Sequence, residues 1–205
     1  MQKIIILLMV MLSAVGVSVA MADEDGEGKA GRLFLFQKCD ASLIGADYDA
    51  SGCPAIPGPW AIFPGKHRQG KLEHSLWGDK FKFSFEGRGL PPETDYTLIY
   101  YPDPWPGTGL ICLGSGKTTP PTIKGKKKEK EKGGKIEIHG NVDIGTSLPA
   151  SYDANFTPIS PSGAVGAKIW LVLSADVKCD ATSQLSGWNP AAYLFEDNLI
   201  NYERR

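Results

Sequence analysis

The 205-residue chain carries 22 Lys and Arg against 23 Asp and Glu, a formal net charge of −1. That balance supplies no global attraction to nucleic acid. The length suits one domain with a sizeable core rather than several domains.

The chain opens on a basic Met1-Gln2-Lys3, followed by an unbroken run of apolar and small residues from Ile4 to Val17. Ala20-Met21-Ala22 then precedes the acidic Asp23-Glu24-Asp25. This is the order of a secretory signal peptide over residues 1–22. The run falls short of the roughly 20 apolar residues that a membrane-spanning helix needs. Cleavage after Ala22 leaves 183 residues with a formal charge of −2 and no second long apolar run. The expected location is outside the cytoplasm: secreted, periplasmic or at the cell surface. Residues 23–30 are polar and read as a disordered segment, and residues 31–205 as a single domain.

Arg32 to Phe36 is the first strand. Two insertions interrupt the domain, at residues 39–65 and 117–134, both long for connections in a compact fold. The first holds Cys39 and Cys53 in a Gly-, Pro- and Asp-rich stretch. Within it, Asp47, Asp49 and Ser51 stand at alternate positions ahead of Gly52, which is how a calcium loop opens. The bidentate Glu that closes such a loop is missing, because Gly58 occupies its place. The alternative is an Asp/Gly turn inside a disulfide loop.

A weaker strand runs from Lys71 to Trp77. Lys80 to Glu86 alternates strictly and sends Phe81, Phe83 and Phe85 to one face. Thr97 to Tyr101 is apolar on both faces, as a central strand is. Pro102-Asp103-Pro104-Trp105-Pro106-Gly107 follows, with proline at alternate positions fixing φ and stiffening the loop. Tyr101, Asp103 and Trp105, joined by Trp188 from a later Gly/Asn/Pro turn, form the candidate ligand-binding set. A rigidly displayed indole suits stacking on a sugar ring or anchoring a protein interface. The competing reading makes Trp105 a plug at the end of the fold.

Leu110 to Leu113 is a further short strand. Gly87-Arg88-Gly89, Gly114-Ser115-Gly116 and Gly140-Asn141 read as turns. Gly114-Ser115-Gly116 is not a G-x-S-x-G nucleophile elbow. The second insertion carries Lys124 to Lys135, seven Lys and two Glu, a local +5. It reads either as a solvated loop or as a tether to an anionic surface. With no aromatic in the run, a nucleic-acid platform is disfavoured.

Lys135 to His139 alternates again. Asp143, Asp153 and Asn155 form a second oxygen-rich stretch. Ala167 to Ser174 is the most apolar strand, and Asn189-Pro190 is the one helix-start signal. Tyr193–Phe195 and Leu199–Tyr202 close the chain as a strand or a bent pair. Four cysteines in an exported chain read as a disulfide framework. Of three possible pairings, Cys39–Cys53 and Cys112–Cys179 are favoured. No C-x-x-C occurs and His67, His74 and His139 are scattered, so neither zinc nor any cofactor is expected.

Two stretches, Tyr96 to Gly116 (YTLIYYPDPWPG…GLICLGSG) and Gly166 to Ser174 (GAKIWLVLS) with Gly187 to Glu196, resemble an uncharacterised family of exported archaeal and bacterial β proteins. The likeness runs from about Lys71 to Tyr202. It implies a similar single secreted domain and transfers no activity or catalytic residue. The Cys39–Cys53 loop and the Lys-rich insertion look peculiar to this member.

About eight short strands with Gly/Pro punctuation predict an all-β fold, an antiparallel sandwich Ig-like in general architecture, with a closed barrel as the alternative. No catalytic set emerges. The expected role is a binding or envelope-associated module facing a cell-surface polymer or protein. A hydrolase acting outside the cytoplasm and a structural surface protein are the alternatives.

Overall fold

The computed structural model describes residues 30–39, 61–62, 69–102, 105–120, 133–150 and 166–205. Its strands are β1 (Ala30–Phe36), β2 (Lys38–Cys39), β3 (Ala61–Ile62), β4 (Gln69–Ser75), β5 (Trp77–Gly78), β6 (Phe81–Leu90), β7 (Asp95–Tyr101), β8 (Ile111–Lys117), β9 (Gly134–Val142), β10 (Lys168–Leu173), β11 (Val177–Lys178), β12 (Gln184–Leu185), β13 (Phe195–Glu196) and β14 (Glu203–Arg204). The helical content among the described residues is two single 3-10 turns, Ser174–Asp176 and Pro190–Ala192. The fold is all-β, as the sequence predicts.

Two antiparallel sheets pack face to face. One runs β13-β1-β4-β6-β9 and the other β10-β7-β8. Side-chain alternation decides what lies between them. Leu33 and Leu35, Leu72, the three Phe of β6, and Ile136 and Ile138 face Tyr96, Leu98 and Tyr100 of β7 and Ile169 and Leu171 of β10. Leu171 and Leu194 exchange backbone hydrogen bonds of 2.9 Å. The next two residues, Phe195 and Glu196, pair with Phe36 and Leu35. One short segment therefore borders both sheets along that edge.

The opposite parity of β7 and β10 builds a second apolar cluster on the outer face of the three-stranded sheet. Ile99, Tyr101, Trp170 and Val172 are covered there by Leu185, Tyr193 and Phe195. This explains why Thr97 to Tyr101 reads as apolar on both faces and Ala167 to Ser174 as the most apolar strand.

Three stretches read as turns are strand interiors instead. Gly87-Arg88-Gly89 lies in β6, Gly114-Ser115-Gly116 in β8, and Gly140-Asn141 in β9. The physical cause is close approach rather than chain reversal. A Cβ on Gly140 would overlap the Phe83 ring, and one on Gly114 would press into Ile138. Gly89 does need its freedom, with φ of +75° at the register shift between Arg88 and Leu90.

The Asn189-Pro190 signal yields only a 3-10 turn, and the Asn189 side chain caps nothing. Leu199 to Tyr202 supplies two isolated bridges, Ala167 with Ile200 and Leu148 with Tyr202, rather than a strand. Cys112–Cys179 forms as expected. Ala30, read as the end of the disordered segment, is instead the first residue of β1, paired with Ser75; the signal segment, residues 23–29 and the Cys39–Cys53 bond lie outside the described residues. No helix among the described residues is long and apolar enough to cross a membrane.

Candidate functional site

The sequence-predicted aromatics separate into a buried base and an exposed rim. Tyr101 is buried and stacks on Trp170, centroids 3.8 Å apart and planes 13° from parallel. Trp105 and Trp188 stand at the rim, 52% and 37% exposed. Their rings meet edge to face, 5.4 Å apart at 77°. Trp105 is therefore not a plug, and the two indoles come from turns 83 positions apart in the chain. Trp188 also packs on Tyr193 at 5.7 Å and on Phe195 at 6.1 Å. Asp103 lies outside the described residues.

Backbone hydrogen bonds hold the two turns to one another. Leu185 N–H donates to Pro106 O at 2.9 Å, and Gly109 N–H to Ser183 O at 2.9 Å. Cys112–Cys179 staples β8 to the same returning segment. Immediately before Trp188, the amides of Ser186 and Gly187 donate to the Asp176 carbonyl at 2.8 and 3.2 Å. The Asp176 carboxylate accepts from the Tyr193 hydroxyl at 2.6 Å. Burial, and next that hydrogen bond, push the Tyr193 phenol well above its ordinary range, so it stays a donor. Gly107, at φ of +74°, lies against the Tyr101 ring where no side chain would fit. The indoles thus project from a braced turn pair.

Sequence reasoning missed Trp170, Lys168, Tyr193, Phe195 and Asp176. Lys168 lies with its amine 5.9 Å from the centroids of both Tyr101 and Trp170. Trp170 Nε1–H is buried without a hydrogen-bond acceptor among the described residues, a cost of about 1–3 kcal/mol. The available signal was parity: Lys168, Trp170 and Val172 share the face opposite Ile169 and Leu171.

The other candidates do not assemble. Asp47, Asp49, Ser51, Asp153, Asn155 and His67 lie outside the described residues. Asp143 accepts from Gly145 N–H at 2.9 Å and from Arg204 at 3.3 Å, and these contacts hold its carboxyl below the usual range. Ser115 shares hydrogen bonds with Thr97, whose hydroxyl also meets Ser174. Among the described residues no group of three or more His, Cys, Asp or Glu is placed to hold a metal ion. Residues 124–132 of the Lys-rich stretch are outside the described set. Its flanking strand ends, Lys117 and Gly134, lie at the end of β8 away from the Trp105 turn.

His74 is buried, stacked on Phe81 at 5.7 Å, and donates from Nδ1 to the Ser75 carbonyl at 2.9 Å. Desolvation lowers its pKa below 6.5. The unfolded chain therefore takes up a proton first as pH falls. Stability is intact above the unfolded-state value and declines below it until the folded-state value is reached, with a limiting slope of about 1.4 kcal/mol per pH unit. Urea titrations between pH 7.5 and 5 should show this decline, and His74→Asn, which keeps an amide donor for Ser75, should flatten it. Parallel profiles for the two proteins would rule His74 out as the source.

On the outer face of the five-stranded sheet, Phe34 and Phe36 border a groove of about 470 Å³. Gln69, Lys71, Glu86, Arg88, Lys135 and Glu137 line the rest of it. Glu86 and Glu137 are cross-strand neighbours, but both are exposed among three cations. That is a solvated ion ladder and not a sheltered acid and base. Comparison with family models, curated proteins and solved structures finds no match to this chain.

Proposed function

We propose that the protein is an exported, non-catalytic binding module whose recognition element is the Trp105–Trp188 pair. The observation carrying this reading is the pair itself. Two large apolar rings stay in solvent while the surrounding backbone is hydrogen-bonded to keep them there. Exposed aromatics on a pre-ordered backbone lose little entropy on binding and supply large contact area. The disulfide between β8 and the returning segment suits an oxidising compartment.

Trp105→Ala and Trp188→Ala test this. Each should change unfolding free energy by well under 1 kcal/mol for Trp105, and somewhat more for the half-covered Trp188. Acrylamide should quench wild-type fluorescence readily, and less so once Trp105 is removed. Retention on immobilised neutral polysaccharides, a proline-rich peptide and anionic vesicles is then compared with wild type. Retention on one of these that either substitution abolishes supports the reading. A wild-type chain retained by none, or retention that survives both substitutions, defeats it. A stability loss of about 3–5 kcal/mol for Trp105→Ala would make it a core residue.

A further inference from the structure

The three large apolar side chains that stand exposed among the described residues are Phe34, Trp105 and Trp188, and they are not scattered. Phe34 and Phe36 lie on one face of β1, 6.4 Å apart. Phe36 is the direct cross-strand partner of Phe195, so those two side chains share that face. Phe195 meets Trp188 at 6.1 Å, and Trp188 meets Trp105 at 5.4 Å. An aromatic band, exposed at Phe34 and at Trp105 and Trp188 and buried between them at Phe195, therefore runs from the outer face of the five-stranded sheet, over the edge shared by both sheets, to the Trp105 turn.

From this band we infer that the ligand is a linear, neutral polysaccharide long enough to stack sugar rings on both exposed ends, Phe34 at one and Trp105 with Trp188 at the other. This rests on the reading of Trp105 and Trp188 as the recognition element and extends it to Phe34. The chemistry beside the Phe34 end selects the class. The groove there presents carboxylates (Glu86, Glu137), which only accept hydrogen bonds, next to a guanidinium and ammonium groups (Arg88, Lys71, Lys135), which only donate. Sugar hydroxyls donate and accept, and satisfy both kinds. A proline-rich peptide has few N–H groups to offer the carboxylates, and a hydrocarbon surface would desolvate all of these charges at a cost. The opposite charges nearly cancel, so neither a polyanion nor a polycation is favoured. The C–H face of a pyranose is apolar and covers an aromatic ring as another apolar group does.

The test uses the full mature chain in affinity electrophoresis through gels containing a β-1,4-glucan, a β-1,4-mannan, an α-1,6-glucan or, as a charged control, a polyuronate. Oligosaccharides of two to eight units from the retarding glycan are then titrated calorimetrically. The expected result is retardation by at least one neutral glycan and affinity that climbs with chain length. Trp105→Ala should weaken every length by about tenfold or more. Phe34→Ala, at an exposed site that leaves the fold intact, should weaken only the longer oligomers. No retardation by any neutral glycan, retardation by the polyuronate alone, or equal affinity for two and eight units each overturns the inference. Binding of a proline-rich peptide that needs Trp105 but not Phe34 would overturn the glycan assignment while leaving the Trp-pair module standing. Glycan binding indifferent to Trp105 and Trp188 would remove both.

Discussion

Phe85→Ala is expected to lower the unfolding free energy by about 3–5 kcal/mol, the range for truncating a buried phenylalanine. The ring is fully buried between the sheets, with Leu72 and Ile138 as its cross-strand neighbours. Its surroundings place it at the upper end of that range. Gly70 and Gly87 both lie against the ring: a Cβ on Gly70 would collide with it, and one on Gly87 would press on it while colliding with Ile136. Glycines have no side chain to lean into the hole, and strand backbone held on both sides moves little, so the cavity persists. For a domain of total stability near 5–15 kcal/mol, the loss is severe. Chemical denaturation reads it as a shift in midpoint at unchanged slope. Gly70→Ala in the wild-type background should also destabilise, by about 1–3 kcal/mol, through overpacking. Combined with Phe85→Leu, which frees the space the new methyl needs, it should cost less than the two changes added. A Phe85→Ala loss below about 1 kcal/mol would mean that the ring is not the partner of those glycines.

The same glycines mark where the sequence was legible and where it was not. Alternation in Phe81–Phe85 and in Ile136–Ile138 places those residues inside correctly, because period two is a direct consequence of strand geometry. Gly87, Gly114 and Gly140 carry the same letter as a turn glycine but serve a different need, room for a ring or an isoleucine on the neighbouring strand or, for Gly114, on the facing sheet. Only the partner strand or the facing sheet distinguishes the two uses, and both are non-local. The candidate site divides along the same line. The proline spacing around Trp105 signals a stiff loop, and that is visible in one dimension. The meeting of Trp105 with Trp188 depends on the segment after β11 folding back over β7 and β10. The aromatic band depends further on Phe195 pairing with Phe36. No spacing between residues 36 and 195 announces that contact. Trp170 was hidden for a related reason: on a strand buried on both faces, its apolar neighbours mask which side it serves.

Replacing both Cys112 and Cys179 by Ser should cost up to about 4 kcal/mol, the chain-entropy value for a loop closed over a separation of 67 residues. Where the loss appears matters more than its size. The first core cluster, between the sheets, contains neither cysteine. The bond instead ties β8 to the stretch after β11, and from there the chain passes through Ser183 and Leu185, whose backbones grip the Trp105 turn, to Gly187 and Trp188. Without the bond, that stretch is held by those hydrogen bonds, by Leu185 and Tyr193 in the second cluster, and by the Tyr193–Asp176 contact. Opening should therefore begin there, at a free energy below that of global unfolding. Native-state hydrogen exchange is expected to lose protection first at the amides of Leu185, Ser186 and Gly187, while β6 and β9 keep theirs. Ligand affinity should fall in step, because a loosened turn pair must be reordered on binding. Removing both thiols together avoids an exposed free cysteine at position 179. If the double variant unfolds within about 1 kcal/mol of wild type and Leu185 exchanges no faster, apolar packing alone braces the indole pair. The disulfide then secures nothing at the site.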